Sequence, residues 1–174
     1  MPADTPNVVL RDYRRRDRAW VTAANLRHYR TVEGFDAGFE DAIVAALDLL
    51  ERHIDDETST FLIAEADGRP VGCVFFCADT GTAGRVRLFY LDKAQRGRGL
   101  GRRMMTRIID RARASGFETI RVSTFDRHRA ACRLYAALGF DRTTRARATV
   151  FGQPMRQVDF ELGLTGPRAD EHTG

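Results

Sequence analysis

The chain has 174 residues, with 43% hydrophobic and 30% charged side chains, which suits one globular domain and excludes a chain disordered throughout. No run approaches the roughly 18 consecutive apolar residues of a membrane span, and the opening MPADTPNVVLRDYRRRD has no apolar stretch ahead of a small-residue cleavage site. The net charge of +4 is uneven: residues 85–147 carry +12 and the remainder −8, so the block implies an anionic partner (nucleic acid, phosphate or a phosphorylated cofactor), a solvated basic face being the plain alternative.

Val8–Tyr13 reads as a short strand followed by the charged turn Arg14–Arg18, and Ala19–Tyr29 as a helix of modest amphipathicity. Asp36 can cap a stronger helix whose apolar face is Phe39, Ile43, Ala46 and Leu50. Phe61–Glu65 and Val71–Ala78 flank the turn Asp67-Gly68-Arg69-Pro70 as a hairpin, Thr80–Gly84 is a further turn, and Val86–Leu91 the next strand. Gly99–Ser115 predicts a long helix with Leu100, Met104, Ile108 and Ala112 on one face, ended by Gly116. Glu118–Thr124 is a strand, Arg127–Leu138 a helix stopped by Gly139, and Thr143–Phe151 and Met155–Leu162 are late strands around Gly152-Gln153-Pro154. The order is that of one mixed α/β layer structure. A cytoplasmic single domain over 1–174 is expected, its core about 8–162, with frayed tails at 1–6 and 165–174.

Cys73, Cys77 and Cys132 are odd in number and lack paired CxxC spacing. On a strand the first two Cα atoms lie about 13 Å apart, too far for a disulfide. Burial as small apolar side chains is the expected role, and no metal site is predicted.

The sharpest feature is Gln95-Arg96-Gly97-Arg98-Gly99-Leu100-Gly101, between a strand and the long helix. Its glycines permit a tight turn with exposed N–H groups, and the helix N-terminus behind them favours an anion such as a pyrophosphate. The dinucleotide fingerprint G-x-G-x-x-G fails because Arg102 stands where its third glycine belongs, and a Walker loop fails because the single lysine, Lys93, precedes the glycines. About thirty residues on, the helix Arg127-His128-Arg129-Ala130-Ala131-Cys132-Arg133-Leu134-Tyr135 runs into Ala136-Ala137-Leu138-Gly139-Phe140, with Ala131, Leu134, Tyr135 and Leu138 on one face. A tyrosine so placed is ordinarily core packing.

Together the two segments resemble the GNAT superfamily of acyl-CoA N-acyltransferases. Arg96-Gly97-Arg98-Gly99-Leu100-Gly101 matches the family's R/Q-x-x-G-x-G/A loop, and Ala131, Tyr135, Gly139 and Phe140 match its N-x-x-A-x-x-x-Y-x-x-x-G-F helix. The resemblance spans Val8 to Leu162, is specific from Val86 to Phe140, and is greatest to the acetyltransferase half of MarR–GNAT fusion proteins, whose winged-helix half the chain lacks. It implies an α+β fold: a central, mostly antiparallel sheet of about 6–7 strands splayed between strands 4 and 5, with about 4 helices on both faces. It further implies acetyl-CoA as cosubstrate, without a metal, and an amine acceptor. The pyrophosphate would rest on Gly97–Arg102, the pantetheine along Phe89, Tyr90 and Leu91, and the Leu91 N–H on the thioester carbonyl. Arg96, Arg98, Arg102 and Arg103 would neutralise phosphate, and His128 and Ala131 would border the cofactor. Tyr135 would be the general acid for the leaving sulfur; hydrogen bonding to the developing thiolate suffices for that, and the basic surroundings could lower its pKa. Tyr29, Glu33, Phe35 and Asp36, with Phe151 opposite, match the family's variable acceptor loop.

Two positions depart from the family: His128 replaces the common asparagine, and Ser123 stands where several members carry a glutamate base. At pH 7 a lysine-like amine is roughly one part in 2,500 neutral and an α-amine about one in seven. Without that glutamate, an α-amine or other weakly basic amine deprotonated through water is expected. A homodimer is compatible with the resemblance. Two rival readings remain: a nucleic-acid-binding protein, which explains the charge but not the glycine spacing, and an acyl-CoA-binding sensor without turnover.

Overall fold

The structure, a computed structural model, describes residues 7–165. Seven strands form one sheet: β1 (Val8–Asp12), β2 (Thr60–Ala66), β3 (Arg69–Ala78), β4 (Ala83–Leu91), β5 (Thr119–Phe125), β6 (Asp141–Val150) and β7 (Gln153–Gly163). Their spatial order is β1-β2-β3-β4-β5-β7-β6. Every neighbouring pair is antiparallel except β4–β5. Four helices pack on it: α1 (Arg18–Thr31), α2 (Gly38–Glu51), α3 (Leu100–Ala114) and α4 (Arg129–Ala137). This is the expected mixed α+β architecture. The tails at 1–6 and 165–174 lie outside the described residues, Thr165 excepted.

Alternation along the central strands fills two cores. Leu62, Val74 and Phe76 face α3 with Met104 and Ile108. Phe61, Ile63 and Phe75 face α1 and α2 with Val21, Phe39, Ile43, Leu47 and Leu50. In α2 Leu47 is fully buried, as is Leu50, whereas Ala46 is only half-buried, because the apolar stripe drifts at 3.6 residues per turn. Truncating Leu47 to alanine would cost about 2–5 kcal/mol. β4 begins at Ala83, within the stretch read as a turn, because Ala83–Arg85 pairs with β5, and Gly84 and Arg85 pair with β3 as well. All three cysteines are buried and free.

The feature that makes a site is the divergence of β4 and β5. They pair only from Ala83↔Thr119 to Arg85↔Arg121. Beyond that, β5 stays with β7 as far as Phe125↔Gln157, while β4 stays with β3 and bulges: Phe75↔Arg87 is followed by Cys73↔Tyr90. The extra residue falls at Leu88, whose φ is +49°. A bulge increases local twist and here turns β4 away from β5.

Candidate active site

The divergent strands, the loop before α3 and the start of α4 enclose a cleft of about 730 Å³. Gly97 and Gly99 hold φ of +73° and +80°, a region that L side chains rarely adopt, and a Cβ on either would meet nothing within 4 Å. The first backbone bond at the start of α3 is Arg103 N–H to Gly99 O at 3.1 Å, which leaves the N–H groups of Leu100, Gly101 and Arg102 without helical partners. A Cβ on Gly101 would sit 3.3 Å from Leu91 and 3.4 Å from Leu134 and Phe89; here glycine permits close packing. Arg129, Ala130 and Ala131 open α4 on the same cleft, so two positive helix ends converge.

Of the residues named from sequence, Tyr29, Glu33, Phe89, Leu91, Arg96, Gly97, Gly99, Leu100, Gly101, Arg102, His128 and Ala131 line this cleft. Phe35 and Phe151 line a second, inner pocket with Tyr29. Five named residues line neither the cleft nor the inner pocket, Asp36 among them. Arg98 borders a smaller hollow beside Asn7 and Val8. Tyr90 lies on the other sheet face, where its ring meets Trp20 and His28 and its hydroxyl donates to Asp92 at 3.0 Å; strand alternation separates it from Phe89 and Leu91. Tyr135 is another. Arg103, the fifth, is turned away, donating to Val8 O at 2.7 Å. Sequence reasoning did not single out Gln95, Thr124, Arg127, Arg129 or Arg133 as lining residues. The signal was present for the arginines, all of which belong to the +12 block.

The Leu91 backbone is oriented by its neighbour. Asp92 N–H donates to Val71 O at 2.8 Å, so the polar groups of Leu91, one residue earlier, point away from β3 and into the cleft. Its carbonyl accepts Arg96 Nε at 3.1 Å, which ties the glycine loop to the end of β4.

Tyr135 is 2% exposed, its ring 5.6 Å from Phe140 and 5.3 Å from Phe160. It follows Leu134 and lies one turn beyond Ala131, both of which line the cleft. Its phenol is pushed up, not down: burial dominates, with Tyr29 and Cys132 adding to it. The expected lowering by basic surroundings is thereby corrected, because the arginines lie over the cleft and not over this ring. Tyr29 is also pushed up, to about 12, by burial and then by the Glu33 charge.

Glu33 lies between α1 and α2, and among the described residues it is the one carboxylate lining either the cleft or the inner pocket. Its Oε2 lies 2.8 Å from Arg127, and its Oε1 lies 3.1 Å from His128 Nε2 and 3.6 Å from His28 Nε2. The His128 Nε2 is fully buried and off the hydrogen-bonding line, so its contact with Glu33 is electrostatic when the ring is protonated. His128 Nδ1 lies 3.2 Å from Thr124 Oγ1. Ser123, at the position of the missing glutamate, donates to Asp159 at 2.7 Å on the adjoining strand. Asp159 is held below the usual carboxylate range: burial opposes its charge, but Gln157, Ser123 and Arg145 outweigh it.

The cleft fits an acyl-CoA. It offers exposed amides for a pyrophosphate, four arginines for phosphate charge (Arg96, Arg102, Arg129 and Arg133), and apolar walls at Phe89, Leu91 and Leu134. Among the described residues no three His, Cys, Asp or Glu side chains are grouped to hold a metal, and no helix is long and apolar enough to cross a membrane.

A family model described as the acetyltransferase (GNAT) family matches residues 20–140. An IAA acetyltransferase of Azospirillum brasilense is 29% identical over 123 residues, which is 60% of this chain and 80% of that protein. The structure of yncA from Salmonella typhimurium with its cofactor acetyl-CoA aligns over 95% of this chain and 99% of its own, at 23% identity and a TM-score of 0.68. The ribosomal-protein-alanine N-acetyltransferase of Brucella melitensis aligns over 89% and 99%, at 17% identity and a TM-score of 0.74. The two structural likenesses are likenesses of fold.

Proposed function

The chain belongs to the GNAT family of acetyltransferases, and from that premise we propose that it moves the acetyl group of acetyl-CoA onto a primary amine by direct attack. One observation carries the reading: the cleft and the inner pocket share Tyr29, Phe89, Thr124 and His128. A donor lying in the first and an acceptor lying in the second would meet at that junction, with Glu33 as its carboxylate.

In this reading the amine nitrogen bonds to the thioester carbon, the carbon–sulfur bond breaks to release CoA thiolate, and the second proton that the nitrogen sheds in becoming an amide passes to solvent. The Leu91 N–H receives the negative charge developing on the carbonyl oxygen. Glu33 draws the ammonium in and accepts its proton, while Arg127 and His128 hold the carboxylate in place. The side-chain base thus comes from the α1–α2 loop instead of from β5, and transfer through water alone is not required. To Tyr135, packed directly behind the lining residues Ala131 and Leu134, we assign the donation to the departing sulfur. An ordinary tyrosine near 10 facing a thiol near 8.5 already makes complete proton transfer uphill by about 2 kcal/mol. Since burial raises Tyr135 further, its part is a hydrogen bond to the developing thiolate, strongest as charge accumulates there.

The test is release of CoA thiol, followed with DTNB, on mixing protein, acetyl-CoA and a panel of primary amines. Amine-dependent release with matching acetylated product is expected. Acetyl-CoA binding without amine-dependent release across the panel would overturn the reading and favour an acyl-CoA-binding protein.

A further inference from the structure

The inner pocket has a chemical character that general acetyl transfer does not require. It encloses about 160 Å³, close to the roughly 150 Å³ of an apolar cavity that accepts benzene. Six aromatic rings line it: Tyr29, Phe35, Phe39, Phe89, Phe125 and Phe151. They are not merely stacked upon one another. Phe35 and Tyr29 lie parallel at 5.3 Å and 18°, while Phe125 presents its edge to Phe35 at 89°. The lining thus offers faces and edges, the two approaches that a further ring prefers. No Asp, Glu, Lys or Arg lines the pocket, and the four polar side chains beside those rings already have protein partners: Asn25 donates to Val21 O, Ser123 donates to Asp159, and Thr124 and His128 meet each other.

Its outer wall is held under strain. Phe151 occupies the turn between β6 and β7 with φ +50°, followed by Gly152 at +78°. Val150 pairs with Gln153, so the loop has two residues, and a turn with two positive φ values suits Asn-Gly far better than Phe-Gly. Strain of this kind persists where the surroundings over-determine it. Here the Phe151 carbonyl accepts Asp36 N–H at 2.9 Å, and its ring lies 5.3 Å from Phe35 and 5.2 Å from Phe39. A residue poorly suited to its turn supplies one wall of the pocket.

We propose, building on the acetyl-transfer reading, that the acceptor is a primary amine carrying one uncharged aromatic ring on a one- or two-carbon tether. The ring enters the inner pocket and the nitrogen stays at the junction beside Glu33. A polyamine is disfavoured, because its second ammonium would be desolvated with no carboxylate to meet it. An aminosugar is disfavoured because most of its hydroxyls would face ring carbons, the few polar side chains of the lining being already partnered.

The experiment compares 2-phenylethylamine, glycinamide and spermidine as acceptors by thiol release, in the wild type and in Phe151→Asn. Asn-Gly preserves the turn, so thermal unfolding of the variant should match or exceed that of the wild type, which separates loss of the wall from loss of the fold. The kcat/KM for 2-phenylethylamine is expected to exceed those of glycinamide and spermidine at least tenfold. In Phe151→Asn its KM should rise at least tenfold, with the KM for acetyl-CoA within twofold. Preference for spermidine or glycinamide, or an unchanged KM for 2-phenylethylamine in a folded variant, would overturn the aromatic assignment while leaving acetyl transfer standing. Release with none of the three would overturn this assignment, whereas the acetyl-transfer reading falls only with the whole amine panel.

Discussion

Arg127 holds Glu33 twice: its guanidinium donates to the Glu33 carbonyl at 3.1 Å and lies 2.8 Å from the side-chain Oε2. The two residues are 94 positions apart in the chain. The arginine comes from the turn between β5 and α4 and the glutamate from the loop between α1 and α2, so the contact closes the acceptor side over the cofactor side. Arg127 also lies over the Phe35 ring at 5.3 Å, a cation–π contact of about 0.5–1 kcal/mol if solvent-exposed. One cation therefore positions both the carboxylate and a wall of the inner pocket.

Glu33→Gln keeps the shape and removes the charge. The expected loss in kcat is roughly 100-fold or more, the range of a positioned proton acceptor. Acetyl-CoA affinity should hold or tighten, because Arg127 loses its counter-charge. The variant's rate should also climb with pH as more amine arrives already neutral. Steady-state kinetics between pH 6 and 9 checks this, and a variant with wild-type kcat and pH profile would remove Glu33 from the proton path.

The glycine loop and the α4 tyrosine were legible in the sequence because their information is local. Positive φ at Gly97 and Gly99 and the spacing of Ala131 from Tyr135 are properties of a few consecutive residues. The setting of Glu33, between Arg127 and His128 at the mouth of the cleft, was not legible. Sequence marked it only as an acceptor-loop residue, since its partners Arg127 and His128 reach it solely through the tertiary fold. The shift at Tyr135 was misjudged for a related reason: a sequence counts nearby arginines but does not show that they face solvent while the phenol is buried. Phe151 was named as an acceptor residue, yet its left-handed backbone depends on the two-residue turn that the Val150↔Gln153 pairing enforces.

Tyr135→Phe deletes one hydroxyl from a ring that remains packed on Phe140 and Phe160. A fall in kcat of roughly 10–1,000-fold is expected, with acetyl-CoA affinity nearly unchanged. Because burial keeps this phenol protonated, it adds no limb to the rate profile between pH 6 and 9. Comparing kcat with a calorimetric Kd for acetyl-CoA separates the two effects, and an unchanged kcat would exclude the hydroxyl from the reaction.

Stability against acid rests partly on Asp17, remote from the cleft. Burial opposes its charge, but the Arg11 fork, with both contacts at 2.8 Å, and the Arg14 N–H at 2.8 Å outweigh it and hold its pKa below the usual range. A carboxyl depressed in the folded state binds protons more readily when unfolded. Its contribution is therefore complete above about pH 4 and lost as pH falls through the folded value. Asp17→Asn should cost about 3 kcal/mol at pH 7, with the gap to wild type closing below pH 4. Urea unfolding at several pH values checks it; a gap independent of pH would show that Asp17 acts through packing and not through charge.

The proposed reaction requires the glycine turn ahead of α3 to receive the nucleotide end of acetyl-CoA. Gly99→Val puts a β-branched side chain at φ +80° and into space that meets no protein atom within 4 Å. Calorimetric titration of wild type and variant with acetyl-CoA is the most direct measurement, with circular dichroism showing that both are folded. The expected result is one site per chain in the wild type and an affinity at least tenfold weaker in Gly99→Val. Equal affinities in two folded proteins, or no binding by the wild type, would contradict the account.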